Sequence, residues 1–349
     1  MWIGGRDDDR SIARWRTPTR RSYRTTLFCL VVCMCLLRTK SGNRRLVQKR
    51  FREAVDACRG FSRPLGVSDD APFSTQISGI LFKMDHVFVL SMDICELKLP
   101  RSFAGRASCV DGPTLDACAP NEFIQGPYTH AMKVSFMHAA VLYLAQKANY
   151  RHVALIEDDV VVRRGVFSDH LSPDFGNILE TSTWSMIRFG FRPYFLEQTS
   201  REPCPTKCRC YIKQNIAREF CKLPKPGCDM RSSDFYVIHE NSYAPLLSKL
   251  LDLKQANSKR IIDTEPMRSL ANQWLILPQV SIQTTLDIPM DYQIGLGALY
   301  VKKCVMPRPV TRIVSQQFVN TSMSHYITKT AGNDHQNYVH TRLVDGVRV

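Results

Sequence analysis

Between Val153 and Val162 the chain reads Val-Ala-Leu-Ile-Glu-Asp-Asp-Val-Val-Val, three adjacent carboxylates inside an otherwise apolar run. Short runs of Val, Ile and Leu predict a buried strand. Glu and Asp, however, are almost never buried unless they are paired or bound to a metal. Three of them at one strand end therefore require a cation. Side-chain alternation along a strand would put Glu157 and Asp159 on one face and Asp158 on the other. Hard carboxylate oxygens suit Mn²⁺ or Mg²⁺, whose shells are commonly completed by substrate phosphates, so the implied ligand is a nucleotide diphosphate. The competing reading is a strand that ends at the surface with its acids solvated or capping the next element.

A chain of 349 residues has ample material for one large domain or two small ones. Its net charge of +15 is concentrated at the start: residues 1–52 hold 14 Lys/Arg and 3 Asp, whereas the remainder holds 33 basic and 29 acidic residues. The body lacks the basic face or reader motif of a nucleic-acid-binding protein. The head reads instead as a basic tail (1–24), a short apolar segment (25–37) and a stem (38–84). Leu27 to Leu37 are eleven residues without a charge, short for a membrane span of about 17–25 residues and close to a signal-peptide core in length. Arg24, Arg38 and Lys40 would snorkel and extend it, as in a single-pass type II anchor with a lumenal body in the Golgi or ER. A cleaved signal is the alternative.

Thirteen cysteines support that compartment. Three lie in the apolar segment, and an even ten follow it, which predicts disulfides in an oxidising lumen. Five are crowded into 204–228, as in a disulfide-braced loop. A zinc knot is the other option, but the paired CxxC spacing of structural zinc sites is missing. Asn320-Thr321-Ser322 is a glycosylation sequon.

Strands are predicted at 86–91, 107–112, 153–162, 184–190 and 234–239, with helices over 128–149, 174–182 and 242–253. The alternation predicts an α/β, Rossmann-type domain over 85–305, with a mostly parallel sheet flanked by helices, a Cys-rich insertion and a C-terminal extension over 306–349. In such sheets ligands sit at the carboxyl ends of the strands, where the three acids fall.

Taken together, these landmarks resemble glycosyltransferase family 25, the lipopolysaccharide and procollagen galactosyltransferase-like enzymes of GT-A fold, over about residues 86–285. Val110-Asp111-Gly112 matches the family's Val-Asp-Gly turn, Ser135 and His138 fall near its Ser-His pair, and Glu157-Asp158-Asp159 matches its Glu-Asp-Asp. Trp184 to Gly190 and Asp234 to His239 follow in order, and Asp263 and Pro278 stand where an Asp and a Pro usually do. The Ser and His are three apart instead of adjacent, Ser185 replaces an Asp, and the usual arginines are thinned to Arg101 and Arg106.

The resemblance implies a metal-dependent hexosyltransferase that moves galactose or glucose from a UDP-sugar to a glycan, glycoprotein or glycolipid. Asp159 would ligate Mn²⁺ or Mg²⁺. Asp111, Glu157, Asp158, Ser135 and His138 would bind the donor, and Asp263 or Asp234 would serve as the base for the acceptor hydroxyl. Bland alternatives stand beside these roles: a turn Asp at 111, a buried histidine at 138, and a helix cap or surface acid at 234 or 263. A GT-A N-acetylglucosaminyltransferase, suggested by Pro173-Asp174-Phe175, and an inactive binding protein of the same fold are the rival functions.

Overall fold

The computed structural model describes residues 44–69, 75–93, 95, 97–163, 169–181, 183–198, 204–213, 215–277, 279–283, 290–307 and 338–340. The proposed tail and anchor (1–37), Pro278, the sequon at Asn320 and nearly all of the C-terminal extension lie outside the described residues. Among the described residues no helix is long and apolar enough to cross a membrane. The chain divides into units 1–49 and 50–349. Of the first, only helical residues 44–49 are described.

A helix over 44–57 (α1) and strand β1 (Ser62–Pro64) precede α2 (Thr75–Phe82), β2 (His86–Ser91) and β3 (Ala107–Asp111). Helices α3 (Gly112–Cys118), α4 (Asn121–Ile124) and α5 (Thr129–Lys147) carry the chain back to β4 (His152–Glu157), and β5 (Val160–Arg163) and α6 (Leu171–Thr181) follow. Then come β6 (Met186–Arg188), β7 (Arg192–Pro193), α7 (Tyr194–Gln198), β8 (Cys210–Ile212), β9 (Phe220–Leu223), β10 (Met230–Arg231) and β11 (Phe235–His239). The last elements are α8 (Tyr243–Leu250), α9 (Glu265–Arg268), β12 (Gln273–Ile276), β13 (Ser281–Gln283), α10 (Met290–Cys304), β14 (Val305–Pro307) and β15 (Tyr338–His340).

The central sheet has the order β1-β3-β2-β4-β11-β6-β12-β9-β8-β14. It is mixed, which corrects the expectation of a mostly parallel sheet. The run β3-β2-β4 is parallel, but β11 inserts antiparallel between β4 and β6, and β1, β9 and β8 also pair antiparallel. The reason lies in the connection. The long insertion after β6 leaves and returns at one edge, so β11 re-enters the sheet from that edge and runs backwards.

The apolar run 153–162 is likewise two strands instead of one. β4 ends at Glu157, a turn takes Asp158 and Asp159, and β5 joins a separate sheet of order β13-β5-β15. Asp is a poor strand residue, and here the Asp158 N–H closes on Leu90 O at 2.9 Å.

Period-two alternation assigns the faces of the central sheet. Val87, Val89, Ala154, Ile156, Phe235 and Val237 pack into one buried cluster with Ile77 and Ile80 of α2 and Phe175 and Ile178 of α6. Residues of the opposite parity, Phe88, Leu90, Leu155 and Tyr236, are equally buried and face α5. Glu157 has that second parity, so its side chain is delivered to α5.

A second core holds the cysteine-rich region. Cys204, Cys208, Cys210, Cys221, Cys228 and Cys304 cluster there with Leu275, Tyr300 and Val305. All ten cysteines beyond the apolar segment are paired: Cys58–Cys118, Cys95–Cys109, Cys204–Cys304, Cys208–Cys228 and Cys210–Cys221. The insertion is therefore braced by disulfides, and such bonds persist in an oxidising compartment.

Candidate functional site

β2, β3 and β4 run parallel and end at the same edge, and the strand order reverses around β2, because β3 lies on one side of it and β4 on the other. Crevices at such reversals are where open α/β sheets take ligands. Ser91, Asp111 and Glu157 terminate these strands, and the Ser232-Ser233-Asp234 segment arrives at the same edge, because the Glu157 N–H donates to Asp234 O at 2.7 Å.

Glu157 is buried and committed to the interior. Its Oε1 accepts from the Ser233 hydroxyl at 2.6 Å and lies 3.0 Å from His138 Nε2, while Oε2 accepts from the Gln283 amide at 3.2 Å. His138, fully buried on α5, reaches Tyr236 Oη with Nδ1 at 2.8 Å. Burial pushes the Glu157 carboxyl up to about 8, with Asp234, Asp263 and Asp158 adding to the rise and Ser233 opposing it. The same burial takes the His138 imidazole down to about 3 against the pull of Asp263.

Asp158 takes a hydrogen bond from the Ser91 hydroxyl of β2, turning away from Glu157. Asp159 is held up to about 8, first by burial, then by Glu157, Asp234 and Asp158, while a hydrogen bond with Gln283 opposes the rise. Glu157 and Asp159 thus share Gln283, and Asp158 diverges from them. The turn preserves the division of faces that simple alternation anticipates.

Of the two candidate bases, Asp234 is fully buried and accepts from the Ser232 hydroxyl. Burial raises its pKa, opposed by Ser232, Ser281 and Arg188. Its carboxylate fits only because residue 190 is glycine: a Cβ there would collide with both Asp234 oxygens and with Ser281 Oγ. Asp263 is only partly buried, and one oxygen lies 3.5 Å from the Ser232 N–H. Ser135 supports this loop from below, accepting from the Ile262 N–H at 2.9 Å and donating to Ala131 O at 2.8 Å.

The remaining sequence candidates fall as follows. Ser135 and His138 are both internal, with their polar atoms spent on the protein itself. Asp111 is the N-cap of α3, accepting from the Thr114 N–H at 3.0 Å, so the expected turn at Gly112 is a helix start. Arg106 donates to Phe82 O and Met84 O beyond the amino end of β3, away from the carboxyl edge. Arg101 forms an exposed ion pair with Asp69 at 3.0 Å. Asp174 of Pro173-Asp174-Phe175 is buried in α6 and accepts from the Arg218 N–H.

Several residues at this edge are not singled out by sequence reasoning. Ser91, Ser233 and Gln283 hold the acids, Tyr236 holds His138, and Arg188 fastens the segment before β11. The Arg188 guanidinium is buried and donates to the carbonyls of Met230, Arg231 and Ser232. Ser232 lies at φ +86°, a region that non-glycine residues rarely occupy, and Arg188 clamps its carbonyl. Burial lowers Arg188 to about 10 although Asp234 and Asp263 favour its charge. Its signal was present in the sequence: a charge inside an apolar strand, the same anomaly that marked the carboxylates.

A divalent cation fits this edge on the chemistry of its donors. Glu157 and Asp159 are raised first by burial and then by the neighbouring acids, and a bound cation would favour their charged forms. Among the described residues no three His, Cys, Asp or Glu side chains form a metal cage. Mn²⁺ or Mg²⁺ would therefore rest on Asp159, with the rest of its shell from ligand phosphate and water, the usual pattern for Mg²⁺-type sites. No protein-family model matches this chain, and no curated protein matches it significantly.

Proposed function

We propose that the chain is a metal-dependent glycosyltransferase of GT-A fold that moves a hexose, galactose or glucose, from a UDP-sugar to a hydroxyl of a glycan, glycoprotein or glycolipid. The observation that carries this reading is the convergence of Glu157, Asp158, Asp159, Asp234 and Asp263 on the strand-reversal edge, where burial and mutual repulsion raise Glu157 and Asp159 to about 8. A bound Mn²⁺ supplies Lewis-acid neutralisation of the departing diphosphate.

Asp159 ligates, and Asp158, locked to Ser91, keeps the turn that presents it. Glu157 acts as the buried anchor of that turn through His138, Ser233 and Gln283. Asp263, the more accessible of the two further acids, accepts the proton of the acceptor hydroxyl. The five disulfides accord with the lumenal side of the Golgi or ER as the working compartment.

The test is to incubate the full chain with a panel of UDP-sugars and Mn²⁺ and to follow UDP release. One hexose donor should be consumed, and EDTA or Asp159→Asn should abolish the reaction. Asp159→Asn should also weaken Mn²⁺-UDP binding by calorimetry, because the amide keeps the shape and loses the charge. If it binds Mn²⁺-UDP as tightly as the parent, the carboxylates are not the metal site and the proposal loses its main support. An inactive binding protein of the same fold is favoured by one observation, the internal commitment of both Glu157 oxygens. Tight Mn²⁺-UDP binding without release from any donor would select it.

A further inference from the structure

Arg188 ends β6 at the carboxylate edge and is 1 % exposed, in a strand whose other side chains, Met186 and Ile187, are apolar and fully buried. A buried charge is costly, and apolar residues of similar volume often serve stability equally well. The charge is therefore explained by what it holds. Among the described residues its hydrogen bonds all go to backbone carbonyls: Nη1 donates to Met230 O at 3.0 Å, and Nη2 donates to Arg231 O at 2.9 Å and to Ser232 O. Three successive carbonyls converge on one planar fork, an arrangement that the single ammonium of a lysine cannot reproduce.

Those carbonyls fix the turn into β11. Ser232 stands at φ +86°, where a residue with a Cβ is strained, so this backbone state needs support from outside the turn. From it the turn addresses three acids at once. The Ser232 hydroxyl donates to Asp234, the Ser232 N–H lies 3.5 Å from an Asp263 oxygen, and the Ser233 hydroxyl donates to Glu157 at 2.6 Å. Relaxation of residue 232 to a negative φ would redirect these donors. Asp158 and Asp159 are held separately, by Ser91 and Gln283. Directly opposite Arg188 on β11 stands Tyr236, whose hydroxyl meets His138, another partner of Glu157.

We infer that Arg188 is a positioning residue of the carboxylate edge: by clamping the carbonyls of Met230, Arg231 and Ser232 it holds the turn that sets Glu157, Asp234 and Asp263. Its effect on turnover rests on the proposed transferase reading, whereas its effect on the acids does not.

The experiment compares the full chain with Arg188→Lys, which keeps the charge and loses the fork, and Arg188→Gln, which keeps two donors and loses the charge. Hydrogen exchange read by mass spectrometry follows the acids without any substrate. Exchange should rise about 10-fold, the worth of one hydrogen bond, in peptides covering 230–234 and Glu157, with no rise in β2. With Mn²⁺ and the UDP-sugar that the parent consumes, turnover should fall about 10–100-fold, as expected for a small misplacement of reacting groups. Mn²⁺-UDP affinity should stay close to that of the parent, because Asp159 is held from Gln283 and not from this turn. An arginine that only filled space would lower the thermal midpoint without this split. If neither variant folds, Ser233→Ala, which deletes one hydroxyl from the same turn, should show the same split at roughly 3–10-fold. The inference is overturned if exchange at Glu157 stays at the parent rate, if it rises equally in β2, if turnover and Mn²⁺-UDP affinity fall together, or if Ser233→Ala, standing in for unfolded variants, matches the parent. A parent that releases UDP from no donor defeats the transferase reading instead, and exchange alone then decides the role of Arg188.

Discussion

Around Glu157, buried polar groups are held by hydrogen bonds that converge from α5, β11 and β13, and one face of the supporting sheet packs a broad apolar cluster. Around Tyr300 the arrangement is different: six cysteines occupy the interior, three disulfides cross it, and the Tyr300 hydroxyl donates to Cys208 O at 2.7 Å. The first region has apolar area to spare and uses it to support acids that are costly to bury. The second is a small core on short strands, where burial alone gives little, so covalent links take over.

Four measurements would sharpen or break this contrast. Replacing both Cys204 and Cys304 by Ser opens a link between positions 100 residues apart, and the chain-entropy view puts the loss at about 4.7 kcal/mol. Chemical denaturation should show that loss, while Mn²⁺-UDP binding at low temperature should persist. If binding disappears with the disulfide, the two regions form one cooperative unit and the contrast fails.

Within the carboxylate edge, Asp263→Asn should lower turnover by about 10²–10⁴-fold with Mn²⁺-UDP binding intact, as expected for loss of a base. Asp234→Asn should act on stability instead, because this side chain is fully enclosed by Gly190, Ser232 and Ser281. Steady-state kinetics beside calorimetry would separate the two. If Asp263→Asn matches the parent in both assays, Asp263 is not the base.

A smaller effect should follow from Tyr236→Phe. It removes the partner of His138 Nδ1 in a fully buried site, and such a loss costs about 1–3 kcal/mol. Urea unfolding would measure it. No change in midpoint would mean that the network is slack and that His138 does not anchor Glu157.

The smallest effect concerns acid stability. His86, next to Ser108 and stacked on Tyr150, is lowered from 6.5 to about 4, chiefly by burial and then by Arg106. The unfolded chain takes up this proton first, so the contribution of neutral His86 is complete above about pH 6.5 and is lost as pH falls towards 4. Thermal midpoints should decline over that range, less steeply in His86→Gln. Parallel profiles for the two proteins would place the acid sensitivity elsewhere, with His138 as the next buried imidazole to test.

Much of this architecture was legible in residue patterns. The all-apolar strand before Ser91, the helix at 129–147 and the strand 235–239 follow from periodicity and β-branching, because those patterns report which side chains leave water. The even count of ten cysteines announced oxidised pairs for the same local reason. The three acids flagged the candidate site, since a carboxylate within an apolar run has few stable explanations.

Direction and partnership were decided only in three dimensions. β11 carries the pattern of any buried strand, and nothing in its residues says that it runs antiparallel beside β4. Asp158 meets Ser91 across 67 residues, and Glu157 meets Ser233 across 76 and Gln283 across 126. The five cysteines of the 204–228 group leave one over after two internal pairs, and only the fold shows that it is Cys204, which reaches Cys304. Residue chemistry alone says which groups must be buried and which of them need partners. Burial depends on a residue's own chemistry and near neighbours. The identity of a partner depends on where distant segments of the chain cross, which no local pattern records.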